Sequence, residues 1–207
     1  HPGMRAGATI VTGIFFAAFG TQFVMTQWIQ GPLRHGPLAA GLCFVPFALA
    51  GSIAATRNPA GARRFGHRTV IVAGMALMGA AVMLASLAVS THQLVLAVLA
   101  LALIGAGQGL ALPSGVELIM TSVPAEQAGS AAGVHETIVE AGGAIGVAVL
   151  GSALADGAGF SAPLLLGAGA VIIAGAIAGG LLRGDAYGAM LSPDRQASGR
   201  PRPVPEP

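Results

Sequence analysis

Long uncharged stretches alternate with short polar connections along the whole chain. A helix that crosses a membrane needs about 20 mostly apolar residues. The stretches of sufficient length lie at residues 6–28, 38–55, 69–89, 93–116, 130–154 and 161–182. Gly and Pro cluster in the connections, as is usual where helices stop. The pattern predicts an all-α membrane protein in which six transmembrane helices form one bundle over residues 1–182.

The composition agrees with this prediction. Hydrophobic residues make up 54% of the chain and charged residues 9%, whereas soluble domains carry roughly 25% charged residues. The net charge of +2 comes from arginines that lie in the predicted connections and the C-terminal tail. They are not interleaved with aromatic residues, as nucleic-acid binders require. We therefore expect a lipid bilayer as partner and no nucleic acid.

The arginines also predict the orientation of the spans. Alternating sides place all of them except Arg34 on one face, which the positive-inside rule makes cytoplasmic. Both ends are then cytoplasmic, and Trp28 is predicted at the opposite lipid–water boundary. The tail at 183–207, rich in Pro, Gly, Ser and Arg, is predicted to be disordered. Because the chain begins with His1, we expect it to be the C-terminal part of a longer polypeptide.

Two glutamates interrupt the fifth span. Glu136 and Glu140 are four residues apart, so they lie on one helix face. His135 lies at a different angle, where it is either a polar neighbour of the pair or a proton relay. Each would cost about 2.5–3.5 kcal/mol against lipid, so a wet cavity, a partner or protonation must stabilise them. Neighbouring carboxylates resist joint ionisation, which suits a site that exchanges a proton for a cation. Two alternatives stay open: an interfacial position for Glu136, and a hydrogen bond from Glu140 to a neighbouring helix.

Glycine pairs four residues apart predict close helix packing. They are Gly142 with Gly146 and Gly105 with Gly109. The run GAGQG lies inside an apolar helix with no preceding strand, which argues against a dinucleotide loop. HETIV lacks the second histidine of a zinc peptidase, since Val139 stands in its place. We expect no metal, no cofactor and no enzymatic activity.

The stretch ETIVEAGGAIGVAVLGSAL resembles the penultimate helix of the major facilitator superfamily, in its branch of multidrug and quaternary-ammonium proton antiporters with about fourteen helices. The residues that match the pattern of that helix are Glu136, Glu140, Gly142, Gly143 and Gly146. Other spans resemble the same family through FGTQFVMTQWIQ, PLAAGLCFVPFALA, LIGAGQGLALPSG and VPAEQAGSAAG.

The segment GARRFGHR is similar to a cytoplasmic loop motif of the superfamily. Arg64, Gly66 and Arg68 match the motif, whereas Arg63 stands where an aspartate is usual. That departure removes the acid through which the motif would form a salt bridge. The basic character of the loop is also explained by topology alone.

The resemblance implies the C-terminal six-helix bundle of an exporter in the plasma membrane, with an N-terminal bundle as its missing partner. It implies proton-driven efflux of hydrophobic or cationic small molecules by alternating access, in which Glu136 and Glu140 take part in coupling or recognition. A facilitator or importer without proton exchange is an alternative. So is an assembly half-module that pairs with a separately encoded half or with its own copy.

The first span adds candidate cavity residues. Phe16, Phe19 and Phe23 recur at helical spacing, and Gln22 and Met25 lie on an adjacent stripe. Aromatic faces attract cations, so these side chains are predicted to contact the substrate. Packing against lipid or neighbouring helices is the other interpretation of the same pattern.

Overall fold

The computed structural model describes residues 2–157 and 159–182, which are almost entirely helical. The α-helices are α1 (Pro2–Gln30), α2 (Pro37–Cys43), α3 (Val45–Phe65), α4 (His67–Ser90), α5 (Leu94–Met120), α6 (Ala128–Ala155) and α7 (Ser161–Leu181), with a 3-10 turn at Ala125–Gln127 before α6. Taken together, α2 and α3 form one span, so these residues contain six helical segments long and apolar enough to cross a membrane. The predicted six-span all-α fold is confirmed.

The helices extend further than the hydrophobic stretches suggested. The second span was predicted to end at residue 55, but α3 continues through Pro59 to Phe65. A single residue, Gly66, then separates α3 from α4 and takes φ = 82°, a conformation that favours glycine. The predicted connection at 56–68 is therefore mostly helix. A short apolar run marks only the part of a helix within the hydrocarbon, and polar residues continue it beyond.

Helices α1 and α5 make the most extensive packing contacts in the bundle. Helix α1 packs against α5, α6 and α7, and α5 packs against α1, α3 and α4. Helices α4 and α7 also pack on each other, which closes one side of the bundle. Between these helices lies the hydrophobic core, whose largest fully buried side chains include Ile10, Ile14, Met75, Met78 and Leu101.

Glycine contacts bring several helix pairs close together. A Cβ on Gly109 would meet the backbone of Gly51 in α3, and one on Gly107 would meet Gly74 in α4. Gly146 of α6 lies against the backbone of α1 in the same way. Close backbone approach through small residues is how helices gain dispersion contacts in lipid.

The outer sides of α4 and α7 form a surface that we call the back face. Its exposed side chains are Met83, Leu87, Leu165, Leu166, Ile172, Ile173 and Ile177. All are bulky and apolar, as a lipid-contacting surface requires.

Trp28 is a correction to the sequence-based expectation. Its side chain is 0% exposed and packs in the core instead of at a lipid–water boundary. Trp28 follows Met25 by one turn, and both lie on the inward side of α1. The predicted tail at 183–207 lies outside the described residues.

Candidate functional site

One side of α1 remains uncovered by the other helices. Its incompletely buried residues recur every three or four positions and include Ala8, Thr12, Phe15, Phe19, Gln22 and Thr26. Among the large apolar side chains of α1 that the structure describes, Phe19 alone is exposed, at 38%. Its ring meets that of Phe15 edge-on, with the centroids 5.6 Å apart. The uncovered side of α1 is thus polar and aromatic, unlike the back face.

A matching stripe runs along α6. Its exposed residues are Gly133, Glu136, Glu140 and Ala144. Gly143, one turn after Glu140, lies directly under the ring of Phe19, where no Cβ would fit. Residues three apart are neighbours on a helix surface, so Glu140 lies beside the aromatic stripe of α1. We call the surface formed by the two stripes the open face.

Depth distinguishes the two glutamates. Glu136 is 8 and Glu140 is 12 residues from the first residue of α6, Ala128. At 1.5 Å per residue these positions lie about 12 and about 18 Å along the helix axis. Glu140 is therefore close to the middle of the span. Among the described residues, neither carboxylate has an ion-pair or hydrogen-bond partner.

The predicted aromatic residues divide into two groups. Phe19 and Gln22 lie on the open face, whereas Phe16 and Phe23 are partly buried against the core, with the Phe16 backbone at Gly146 and the Phe23 ring at Gly151. Met25 is different, because it is 0% exposed and belongs to the core. The prediction that Met25 lines a cavity is corrected, since its position on α1 points inward.

His135 does not share the surface of the glutamates. It follows Ala131 by four residues and precedes Gly142 by seven, and both of these are buried. The Nδ1 atom of His135 is buried and has no hydrogen-bond partner among the described residues. Its side chain thus lies on the packed side of α6.

A cavity of about 260 Å³ lies between α3 and α5. Its lining residues are Phe47, Ala48, Gly51, Ser52, Ala55, Gly105, Gln108, Gly109, Leu112 and Pro113. The Oε1 atom of Gln108 is buried without a donor in the described residues. This cavity was missed from sequence, where GAGQG was interpreted as a helix-packing glycine pair and a dinucleotide loop was argued against. A glutamine between helix-packing glycines was the available signal.

Asn58 was also missed, because it was placed in a predicted loop. It lies in α3 at 3% exposure and donates from Nδ2 to the carbonyl of Leu110 and to Ser114 Oγ, the latter at 3.1 Å. Pro113 lacks an N–H and perturbs the hydrogen bonding of α5 at this point. Asn58 therefore joins α3 to α5 next to the carbonyl of Gly109, which Pro113 leaves without its helical donor.

The residues of the loop motif lie around the start of α4. Arg68 donates from Nε to the carbonyl of Gly179 at 3.0 Å, in the last turn of α7. Arg64 lies over the ring of Phe65, 5.2 Å from its centroid. His67 Nδ1 is 3.4 Å from Glu117 Oε2, an ion pair when the histidine is protonated. The motif thus joins the ends of α4, α5 and α7.

Comparison with known proteins gives a consistent result. The chain is 36% identical over 149 residues to the multidrug resistance protein Stp of Mycobacterium tuberculosis, covering 72% of the chain and 27% of Stp. It is 31% identical over 135 residues to the multidrug efflux pump LfrA of Mycolicibacterium smegmatis, covering 64% of the chain and 26% of LfrA. The tetracenomycin C resistance and export protein of Streptomyces glaucescens is 26% identical over 156 residues, or 75% of the chain and 29% of that protein.

The chain spans between a quarter and a third of the length of these relatives. Residues 8–205 match the profile of the Major Facilitator Superfamily. This match includes the open face, the cavity and all of the helices except the first six residues of α1. The chain therefore belongs to the Major Facilitator Superfamily.

Proposed function

We propose that the chain forms the C-terminal six-helix bundle of a proton-coupled exporter of hydrophobic or cationic small molecules. The exporter works by alternating access, in which two bundles rock around a site near the membrane midplane. One observation carries this proposal. Glu140 lies near the middle of α6, exposed on the open face and next to Phe19.

The cost of an uncovered carboxylate supports a missing bundle. An ionised Glu140 facing lipid would cost about 2.5–3.5 kcal/mol, and Glu136 at a shallower depth would add to this. A second bundle placed over the open face removes that cost if water fills the space between them. The relatives are long enough to supply it, since the chain covers 27% of Stp.

The open face has the groups that proton-for-cation exchange needs. Glu136 and Glu140 place two carboxylates on one stripe, and a carboxylate binds either a proton or a cation. Phe15 and Phe19 offer aromatic faces to the same cation. The proton gradient drives the exchange, and the chemistry calls for no cofactor.

The names of the relatives agree with this substrate class. Stp is named a multidrug resistance protein and LfrA a multidrug efflux pump. A fourth relative, from Streptomyces alboniger, is named a puromycin resistance protein and is 32% identical over 154 residues. These names support export of small organic molecules by the full polypeptide that carries this chain.

The test is Glu140→Gln in the full-length protein, reconstituted in vesicles with a fluorescent pH probe. Glutamine keeps the shape of the side chain but cannot exchange a proton, so drug-driven proton movement should fall at least tenfold. Glu126→Gln is the matched control, because Glu126 is an exposed acid in the 3-10 turn before α6. It should retain proton movement.

Unchanged proton movement in Glu140→Gln would remove the coupling role of this residue and favour a facilitator. The encoding DNA upstream of His1 gives a separate check on the missing bundle. An in-frame series of hydrophobic spans is expected there or in a neighbouring gene. Drug resistance conferred by this segment alone would contradict the need for a second bundle.

A further inference from the structure

We propose that the groove between α3 and α4 holds an anionic phospholipid of the cytoplasmic leaflet, whose phosphate is bound by Arg57 and Arg64. The inference goes beyond the proposed function, because it assigns a lipid that stays bound to the bundle and is not cargo. It concerns a side of α3 that lines neither the cavity nor the open face.

Arg57 lies inside a helix and not in a connection. It is 8 residues before the last residue of α3, Phe65, or about 12 Å along the helix axis. The span from Pro37 to Phe65 has 29 residues, a length of about 43 Å that covers the hydrocarbon and both headgroup layers. Arg57 therefore lies just inside the hydrocarbon on the cytoplasmic side, where a cationic side chain needs a partner.

The protein supplies no anionic partner for this side chain within the described ranges. Arg57 and Arg64 are both exposed, and the ion pair found in those ranges is that of His67 with Glu117. The positive-inside rule accounts for basic residues in the connections, but it does not provide a counter-charge for an arginine two turns inside a span. A lipid phosphate at the adjacent headgroup level provides one.

Arg57 lies on the side of α3 that faces α4. Gly61 follows it by one turn, and a Cβ on Gly61 would lie 3.3 Å from Val70 of α4. Ala55, which lines the cavity, is two residues earlier, or about 200° of helical rotation. Arg64 is seven residues after Arg57, so the two arginines share one stripe and are about 10 Å apart along the axis.

An apolar groove runs outward from this position. Helices α3 and α4 meet at Gly61 and Val70, make few other contacts with each other, and pack mainly on α5. The residues along the groove are small or aliphatic and at least partly exposed: Ala50 and Ile53 of α3, Ala73 and Leu77 of α4, and Ala102 and Ala106 of α5. The groove borders the back face, because Ala80 and Met83 are neighbours on α4. An acyl chain of the surrounding lipid matches this lining.

The charge at the cytoplasmic end of the groove favours an anion. Arg57 and Arg64 bring two positive charges, and Glu117 brings one negative charge, so the sum stays positive. Guanidinium groups bind phosphate oxygens through paired N–H donors. A headgroup amine would need an acid of its own, whereas Glu117 already lies 3.4 Å from His67. Phosphatidylglycerol, which has a phosphate and no amine, therefore fits better than a zwitterionic lipid.

The test measures lipid binding to the purified full-length protein in detergent by native mass spectrometry. The probes are phosphatidylglycerol and phosphatidylcholine with the same acyl chains. Arg57→Gln and Arg64→Gln should each weaken binding of phosphatidylglycerol about fivefold, the effect of one arginine near an anionic headgroup. Phosphatidylcholine should bind more weakly from the outset and change less, because choline offsets the charge of its phosphate.

Arg63→Gln is the matched control, because Arg63 is exposed at the same end of α3, about 100° of rotation from Arg64. It should change the binding of phosphatidylglycerol less than about twofold. Ala106→Leu narrows the groove without changing its charge and should also weaken phosphatidylglycerol. Thermal unfolding shows that each variant is folded, and Arg64→Gln alone decides the question if Arg57→Gln is not folded, since Arg64 is exposed at the helix end.

Two results would overturn the lipid site. Equal weakening by Arg63→Gln and Arg64→Gln would mean that the lipid responds only to the general positive charge of the cytoplasmic side. Displacement of phosphatidylglycerol by an equal concentration of inorganic phosphate would mean that an anion binds without the groove. These measurements use no drug and no proton gradient, so a failure of proton coupling at Glu140 would leave them unchanged.

Discussion

The back face and the open face cover the same range of membrane depth with opposite chemistry. The back face presents bulky apolar side chains of α4 and α7, such as Ile173 at 60% exposure. The open face presents Glu140, Gln22 and Thr12, with Phe19 as its large apolar residue. Lipid covers the first surface without cost, whereas the second needs water or protein. Exposure alone therefore does not tell which surface meets the bilayer, but side-chain chemistry does.

The mean hydropathy of each helix shows this difference only weakly. Helices α1 and α6, which carry the open face, are the least hydrophobic of the six spans, yet both still qualify as membrane-crossing. Glu136 and Glu140 of α6 lie on one stripe of that helix, as do Thr12, Gln22 and Thr26 of α1, whereas Thr21 and His135 lie on the packed sides. The mean hydropathy of a whole helix therefore does not identify the open face, whereas the residues on one side of the helix do.

The largest effect is expected from a carboxylate placed on the back face, compared with the same group placed at similar depth on the open face. Ile173→Glu puts a carboxylate against lipid and should cost about 2.5–3.5 kcal/mol, or about a hundredfold in the inserted, folded fraction. Ala144→Glu places the same group on the open face, one turn from Glu140, and should cost much less. The yield of folded full-length protein in membranes measures both. Equal losses would mean that the two faces have the same surroundings.

A smaller effect is expected from a methyl group on the packed side of α6. Gly146→Ala directs a Cβ at the backbone of Phe16, and overpacking of this kind costs about 1–3 kcal/mol. Gly169→Ala in α7 is the matched control, because nothing lies within 4 Å of its Cβ position. Thermal unfolding of the purified protein should show a lower Tm for Gly146→Ala only. A lower Tm for Gly169→Ala alone would contradict the packing described here.

The smallest effect is expected at the polar contact between α3 and α5. Asn58→Leu removes the donor to Leu110, and interhelical hydrogen bonds in membranes are worth about 0.6 kcal/mol on average, with a maximum near about 1.7. Ser114→Ala leaves that donor in place and should have a smaller effect on the same unfolding measurement. A larger loss of stability from Ser114→Ala than from Asn58→Leu would mean that the hydrogen bond to Leu110 is not the main polar contact between α3 and α5.

The spans were predictable from sequence because hydrophobicity over about 20 residues is a local property. The helical continuation at 56–65 was not, since Pro59 and the arginines there are typical of a connection. The burial of Trp28 was missed for a different reason. The ring suits an interface in isolation, and only the packing of α1 against its neighbours places it inside.

The candidate site was predictable in part. The spacing of Glu136 and Glu140 fixed their common side of α6, but not the direction in which that side faces. The direction depends on the contact of Gly143 with Phe19 and of Gly146 with Phe16, which joins α6 to α1. Met25 was misplaced because one residue of helical rotation, about 100°, separates it from Thr26 on the open face. The cavity beside Gln108 was not predictable, because it forms only when α3 lies against α5.

The glycine contacts between α1 and α6 have a mechanical consequence. Three glycines of α6 pack tightly on α1, so neither helix can slide along the other without a steric clash. The contacts are those of Gly142 with Thr12, Gly143 with Phe19 and Gly146 with Phe16. Glu140 and the ring of Phe19 beside it are then expected to move as one rigid body. If the proposed exporter alternates between two states, a change in the affinity of this pair for a proton or a cation comes from the bundle placed opposite, because α1 and α6 keep their arrangement.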